Sequence, residues 1–205
     1  SDLGFNWDLV TRGTEPKTFE DLLDPKWKGK MAWSMNHSPS GASGFIGNVL
    51  TYMGEEKGMA YLRRLATQNV TGVRVSARQL LDQVIAGEYS IGLQIFNYHP
   101  AISAAKGAHV DWIRMQPALA ALGIVSITKP APHENAAKLF LDFLTSPEGQ
   151  AIFRDADYMP VDPDVSPKDP AFRPDGEKFK ANYVPPWELD TAIANWAKIY
   201  DQVFR

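Results

Sequence analysis

Apolar positions along the chain alternate between two periods. "LGFNWDLV" near the start and "KMAWSM" from Lys30 read as short strands, and "KTFEDLLDPKWKG" holds a short helix. Thr18 can cap that helix, with Asp21 three residues on. From Ala42 the spacing becomes helical. Phe45, Ile46, Val49, Leu50 and Met53 share one face until Gly54. Glu55 and Glu56 open the next helix, with Met59, Leu62 and Leu65 on one side. "TGVRV" is strand-like, and Ser76 can cap a helix carrying Leu80, Leu81, Val84 and Ile85. "YSIGLQIF" is a nearly continuous apolar run, as expected of a buried parallel strand. Asn97 can cap a helix with Pro100 in its first turn, and "VDWIRM" and "LGIVSIT" read as two more strands.

Strands therefore alternate with helices from Lys30 to Thr128. This predicts an α/β fold, an open and mostly parallel sheet flanked by helices. After Lys129 the rhythm changes to a helical C-terminal segment. Two helices follow in succession, the second capped by Ser146 with Pro147 behind it. A Pro- and Asp-rich loop runs from Pro160 to Asp175, and a last helix starts near Trp187.

Composition changes the picture little. The 205 residues carry a net charge of −3 and no basic tract, which argues against nucleic acid as a partner. There is no cysteine, which excludes disulfides and thiolate metal sites. Neither a membrane-length apolar run nor a signal peptide is present in these residues. No nucleophile elbow, phosphate loop or paired zinc histidines occurs, so a hydrolytic enzyme is the weaker reading.

The candidate chemistry lies in "SPSGASGFIGNVL", from Ser38 to Leu50. Helix starts near Thr18, Gly54, Pro132, Ser146 and Pro186 have an acid in or beside the first turn, which offsets the positive end of the helix dipole. The helix after Gly41 has none. Small residues there would let an anion reach the backbone amides, helped by the hydroxyls of Ser40 and Ser43. The alternative is an ordinary turn with Ser40 as N-cap. Two further strand ends carry polar groups, Ser76 with Arg78 and Asn97 with Tyr98 and His99. Ligands of open α/β sheets sit beyond such ends. Tyr98 and His99 can ligate a metal, stack on an organic ligand, or serve only as cap and packing residues.

"PKTFEDLLDPKWKGKMAW", "SPSGA", "VIAGEYSIGL", "NYH" and "KPAPHENAAKLFLDFLTSPEGQ", in this order, resemble the periplasmic substrate-binding proteins of ABC importers. The similarity is to the ferric-iron-binding branch of the type II periplasmic binding fold. That resemblance implies two lobes closing on a ligand, with residues 1–128 as the second lobe and its hinge strands. Residues 129–205 would be helices that return to a first lobe lying outside this chain. It implies ligand contacts from Ser40, Gly41, Ala42, Ser76, Asn97, Tyr98 and His99. The transported solute would be ferric iron with a synergistic anion, held by Tyr98 and His99, or an organic solute such as a phosphonate, thiamine or polyamine. Where the branch has a second tyrosine, this chain has His99. The implied location is the periplasm, or an anchored extracytoplasmic site. The implied partner is an ABC permease in the inner membrane. The faces bearing Phe140, Leu144, Trp196 and Tyr200 are expected to lack their cover and to pack on each other or on a second copy of the chain.

Overall fold

The computed structural model describes residues 2–175 and 179–205. The chain divides into two compact units, Ser1–Ala121 with Gly176–Arg205, and Leu122–Asp175.

The first unit is built on a five-stranded mixed sheet, in the order β3-β2-β4-β1-β5. Its strands are β1 (Asp2–Asn6), β2 (Met31–Ser34), β3 (Thr71–Val73), β4 (Ile91–Ile95) and β5 (Val110–Ile113). The trio β3-β2-β4 is parallel, as the strand–helix alternation requires. β1 enters between β4 and β5 and runs antiparallel to both. The sheet is thus α/β but mixed, because β1 alone runs opposite to the other four strands.

Side-chain alternation assigns the two faces. Leu3, Phe5, Met31, Trp33, Ile91 and Leu93 join one core with α1 (Ala42–Met53), α2 (Glu55–Ala66) and α7 (Pro186–Val203). Ala32, Ile95 and Val110 join the other with Leu80, Leu81 and Val84 of α3 (Ala77–Ile85). β4 is buried along its whole length, which explains its unbroken apolar run. α4 (Tyr98–Ala105) follows β4 and places Pro100 against the Gly4 position of β1.

α7 finds cover inside this unit, contrary to the expectation for Trp196 and Tyr200. The Trp196 indole lies against Gly47 of α1, where any Cβ would overlap Cε2 and Cζ2 of the indole. Tyr200 is buried, and Phe204 meets Trp33 edge-on at 4.7 Å. Glycine at 47 is what brings the helix surface close enough for an indole to seat. A further pair of strands, β6 (Ala118–Ala120) and β7 (Ala181–Tyr183), forms a short parallel sheet. Asn48 of α1 ties it down, donating to Pro117 O at 2.6 Å and accepting from Asn182 Nδ2 at 2.8 Å.

In the second unit, α5 (Glu134–Thr145) and α6 (Pro147–Asp155) follow one another with Ser146 as the cap between them. Ser146 Oγ accepts from Gly149 N. Arg173 gathers the Pro-rich loop by donating to the carbonyls of Pro160, Asp162 and Val165 at 3.0–3.2 Å. α5 buries no residue, and Leu139 is 71 % exposed. The strand expected at "LGIVSIT" does not form. Leu122, Ile124 and Val125 are exposed and belong to no sheet among the described residues. A strand-like pattern needs a partner edge to become a strand, and none is supplied here.

Candidate functional site

The parallel trio points its carboxyl ends to one edge of the sheet, and three loops meet there. Residues 35–41 follow β2, 74–76 follow β3, and Phe96 and Asn97 follow β4. Specific bonds knit them together. Met35 N donates to Val73 O at 2.8 Å, and Ser34 Oγ donates to Val75 O at 2.5 Å. Gln94 Nε2 of β4 donates to Pro39 O at 2.8 Å.

The helices that start at this edge are α1, α3 and α4, and none has an acid in its first turn. α2, α5, α6 and α7 each have at least one. Each N-terminus carries roughly half a positive charge. Three uncompensated termini at one edge therefore give it a positive potential that no tract of basic residues announces.

At the head of α1 the N-cap is Gly41, in extended backbone, and no side chain caps the helix. Ser40 therefore does not cap the helix; the chain turns one residue later. Gly41, Ala42 and Ser43 are buried, whereas Ser38 and Ser40 are half-buried with their hydroxyls 3.4 Å apart. The small residues do not serve open access by a ligand. A Cβ at Gly41 would lie 2.6 Å from Asn36 O and 2.9 Å from Ser34 O, and one at Gly44 would overlap Pro39 O. The glycines let the chain's own 34–40 loop close over the helix end, leaving Ser38 and Ser40 at its mouth. His37 Nδ1 lies 3.4 Å from Ser43 Oγ.

Ser76 caps α3 in a capping box with Gln79, and so its hydroxyl is engaged. Arg78 is also committed. It donates to Ser103 Oγ at 2.8 Å and pairs with Asp82 at 2.6 Å. Asn97 makes no side-chain cap for α4; its own backbone is already helical. Tyr98 stacks on Phe96, and His99 meets Tyr98 edge-on at 4.6 Å and 77°. Burial, and then the Arg78 charge, push the His99 imidazole down to about 4. Its Nδ1 is buried with no hydrogen-bond partner. The ring is neutral at physiological pH, the form that accepts a hydrogen bond or ligates a metal. Among the described residues no three His, Cys, Asp or Glu side chains gather around a common point.

Two contributors escape a reading by residue type. Phe96 completes an aromatic group with Tyr98 and His99. Gln94 holds the 34–40 loop, and its signal in the sequence is a lone amide inside the apolar run "YSIGLQIF".

In open α/β sheets ligands bind beyond the carboxyl ends of the strands, where the polar groups of this lobe collect. Residues 2–184 match the family of bacterial extracellular solute-binding proteins, and the chain belongs to that family. The family is described by binding rather than by a reaction. The chain is 25% identical over 213 aligned positions to a Salmonella typhimurium periplasmic protein named for 2-aminoethylphosphonate binding, covering 96% of this chain and 62% of that protein. It is 28% identical over 149 positions to an Fe(3+)-binding periplasmic protein of Serratia marcescens, covering 68% of this chain and 42% of the relative. The fold matches the periplasmic binding protein AfuA from Actinobacillus pleuropneumoniae with a TM-score of 0.72 at 20% identity, covering 99% of this chain and 65% of that one. The chain thus spans less than two thirds of the length of the curated relatives it matches. No helix among the described residues is long and apolar enough to cross a membrane.

Proposed function

We propose that this chain is the anion-holding part of an extracytoplasmic binding protein that hands a small solute to an ABC permease in the inner membrane. The observation that carries the reading is the convergence of three acid-free helix N-termini on one sheet edge. The solute is a small anion, or a metal ion accompanied by one. Its negative group sits at the mouth formed by Ser38 and Ser40, the opening that the 34–40 loop leaves above the buried amides of Gly41, Ala42 and Ser43 at the positive end of α1. Asn97, Tyr98 and His99 flank it from β4, with Ser76 at the neighbouring strand end.

A phosphonate-bearing organic solute fits the aromatic group of Phe96, Tyr98 and His99, whose rings offer faces for stacking. The relative named for 2-aminoethylphosphonate supports that choice. Ferric iron with an anion is the second reading. It rests on Tyr98 following Asn97, on the neutral imidazole of His99 and on the Serratia relative. A hard trivalent cation favours phenolate over imidazole, so His99 weighs toward the first.

The exposed face of α5 and α6 and the unpaired 122–128 segment are, in this reading, covered by a preceding lobe of a longer protein. In solution, this chain alone uses the same face for self-association. Closure of two lobes on the solute shifts a hinge equilibrium, and the permease recognises the closed form. Native mass spectrometry with metal analysis of the full-length protein, as purified from cells, tests the assignment. A co-purifying phosphorus-containing solute supports the first reading and stoichiometric iron the second. A cationic, anion-free ligand would overturn both.

A further inference from the structure

The left-handed residue inside β4 has a specific purpose. Gln94 has φ +59 and is only 2 % exposed, in the middle of a strand whose five residues are all buried. Glycine adopts that backbone at no steric cost, whereas a glutamine there is strained. The register explains what the strain achieves. Asp2 pairs with Ile95 and Gly4 with Gly92, so two steps along β1 face three along β4. β4 therefore carries one extra residue, a bulge. Leu93 packs in the core under α1, yet Ile95 packs in the opposite core under α3. In a regular strand those two would share a face. The bulge reverses the alternation at Gln94, whose amide then reaches Pro39 O at 2.8 Å. Pro39 is the residue whose carbonyl and Cα lie over Gly44 of α1.

We infer that Gln94 is a positioning residue. It is kept in a strained backbone because its side chain pins the Pro39–Gly41 turn, which sets the opening above the first amides of α1. It also links the β2 side of the site to the β4 strand that carries Tyr98 and His99. The inference deepens the anion-holding reading and, for its binding arm only, rests on it.

The test uses the 205-residue chain and two variants. Gln94→Gly relaxes the backbone and removes the amide; Gln94→Leu keeps the bulk and removes the donor. Amide hydrogen exchange is followed across residues 36–45, where Ser38 N bonds Asn36 O and Phe45 N bonds Gly41 O. Both variants should exchange about tenfold faster at Ser38 and Phe45, the weight of one buried hydrogen bond, with α3 unchanged. Inorganic phosphate and methylphosphonate are then titrated against the amides of Gly41, Ala42 and Ser43, where affinity should fall about tenfold in both variants. Unchanged exchange at Ser38 and Phe45, or an equal rise through β4 and α3, would overturn the assignment. If neither anion moves the wild-type amides, the anion reading fails, and the exchange comparison still decides the role of Gln94.

Discussion

Replacing Gly44 by alanine sets two effects of opposite sign against each other. Helix propensity favours the change by at most about 1 kcal/mol. Packing opposes it. The new Cβ would overlap Pro39 O and lie 2.6 Å from Pro39 C and 2.9 Å from Pro39 Cα. These are backbone atoms, so the 34–40 loop must lift as a whole. Forcing a methyl into such a contact costs about 1–3 kcal/mol. Lifting Pro39 also breaks its bond from Gln94, worth about 1 kcal/mol. The net expectation is a loss of about 1–3 kcal/mol. All six tryptophans lie in the first unit, so their fluorescence in urea reports that unit alone. With a slope of about 2 kcal/mol per molar urea, the midpoint should fall by about 0.5–1.5 M. Gly123→Ala, where nothing lies within 4 Å of the new Cβ, should leave it unmoved. A midpoint equal to or above wild type for Gly44→Ala would refute the claim that the loop closes directly on the helix start.

Further expectations concern pH, packing and association. The folded value of His99 lies below the ordinary 6.5, so its contribution to stability is complete above pH 6.5 and is lost as pH falls toward 4. An NMR titration of that ring should show a midpoint near 4, and one above 6 would contradict its burial. Asp2 is 1 % exposed and burial pushes its carboxyl up to about 6, so its contribution is complete below the ordinary 3.8 and is lost as pH rises through 6. Asp2→Asn should therefore stabilise the chain by up to about 3 kcal/mol at pH 8 and by little at pH 3, as read from urea midpoints. Gly47→Ala should unseat the Trp196 indole and destabilise the first unit by about 1–3 kcal/mol, with Trp196 turning solvent-accessible to a fluorescence quencher. Leu139→Glu with Phe140→Glu should shift sedimentation of this chain toward the monomer, because both side chains lie on the exposed face of α5. An unchanged distribution would take that face out of self-association.

The sequence pattern revealed what local forces decide. The apolar face of α1, the Ser76 and Ser146 caps and the buried run of β4 follow from residue type and spacing, and each stands where it was expected. Long-range pairing was not legible. Nothing local in "DLGFN" says that β1 runs antiparallel between β4 and β5. Nothing in "ALA" and "ANY" says that they pair across more than sixty residues. "LGIVSIT" failed for the converse reason, a strand pattern with no edge to join. The site divides in the same way. Acid-free helix starts can be read from composition, and they led to α1 and α4. Whether a serine caps, or a glycine admits a ligand or a neighbouring loop, depends on where distant backbone lies. Gly41 and Gly44 were met by that backbone.

The proposed binding site requires that one sheet edge hold the solute's negative group. Amide and ring resonances of the isotopically labelled chain, followed during addition of methylphosphonate, test this directly. Gly41, Ala42 and Ser43 should shift together with Tyr98 and His99 along one saturable curve. Shifts that never saturate, or that gather on other elements while these five stay still, would contradict it.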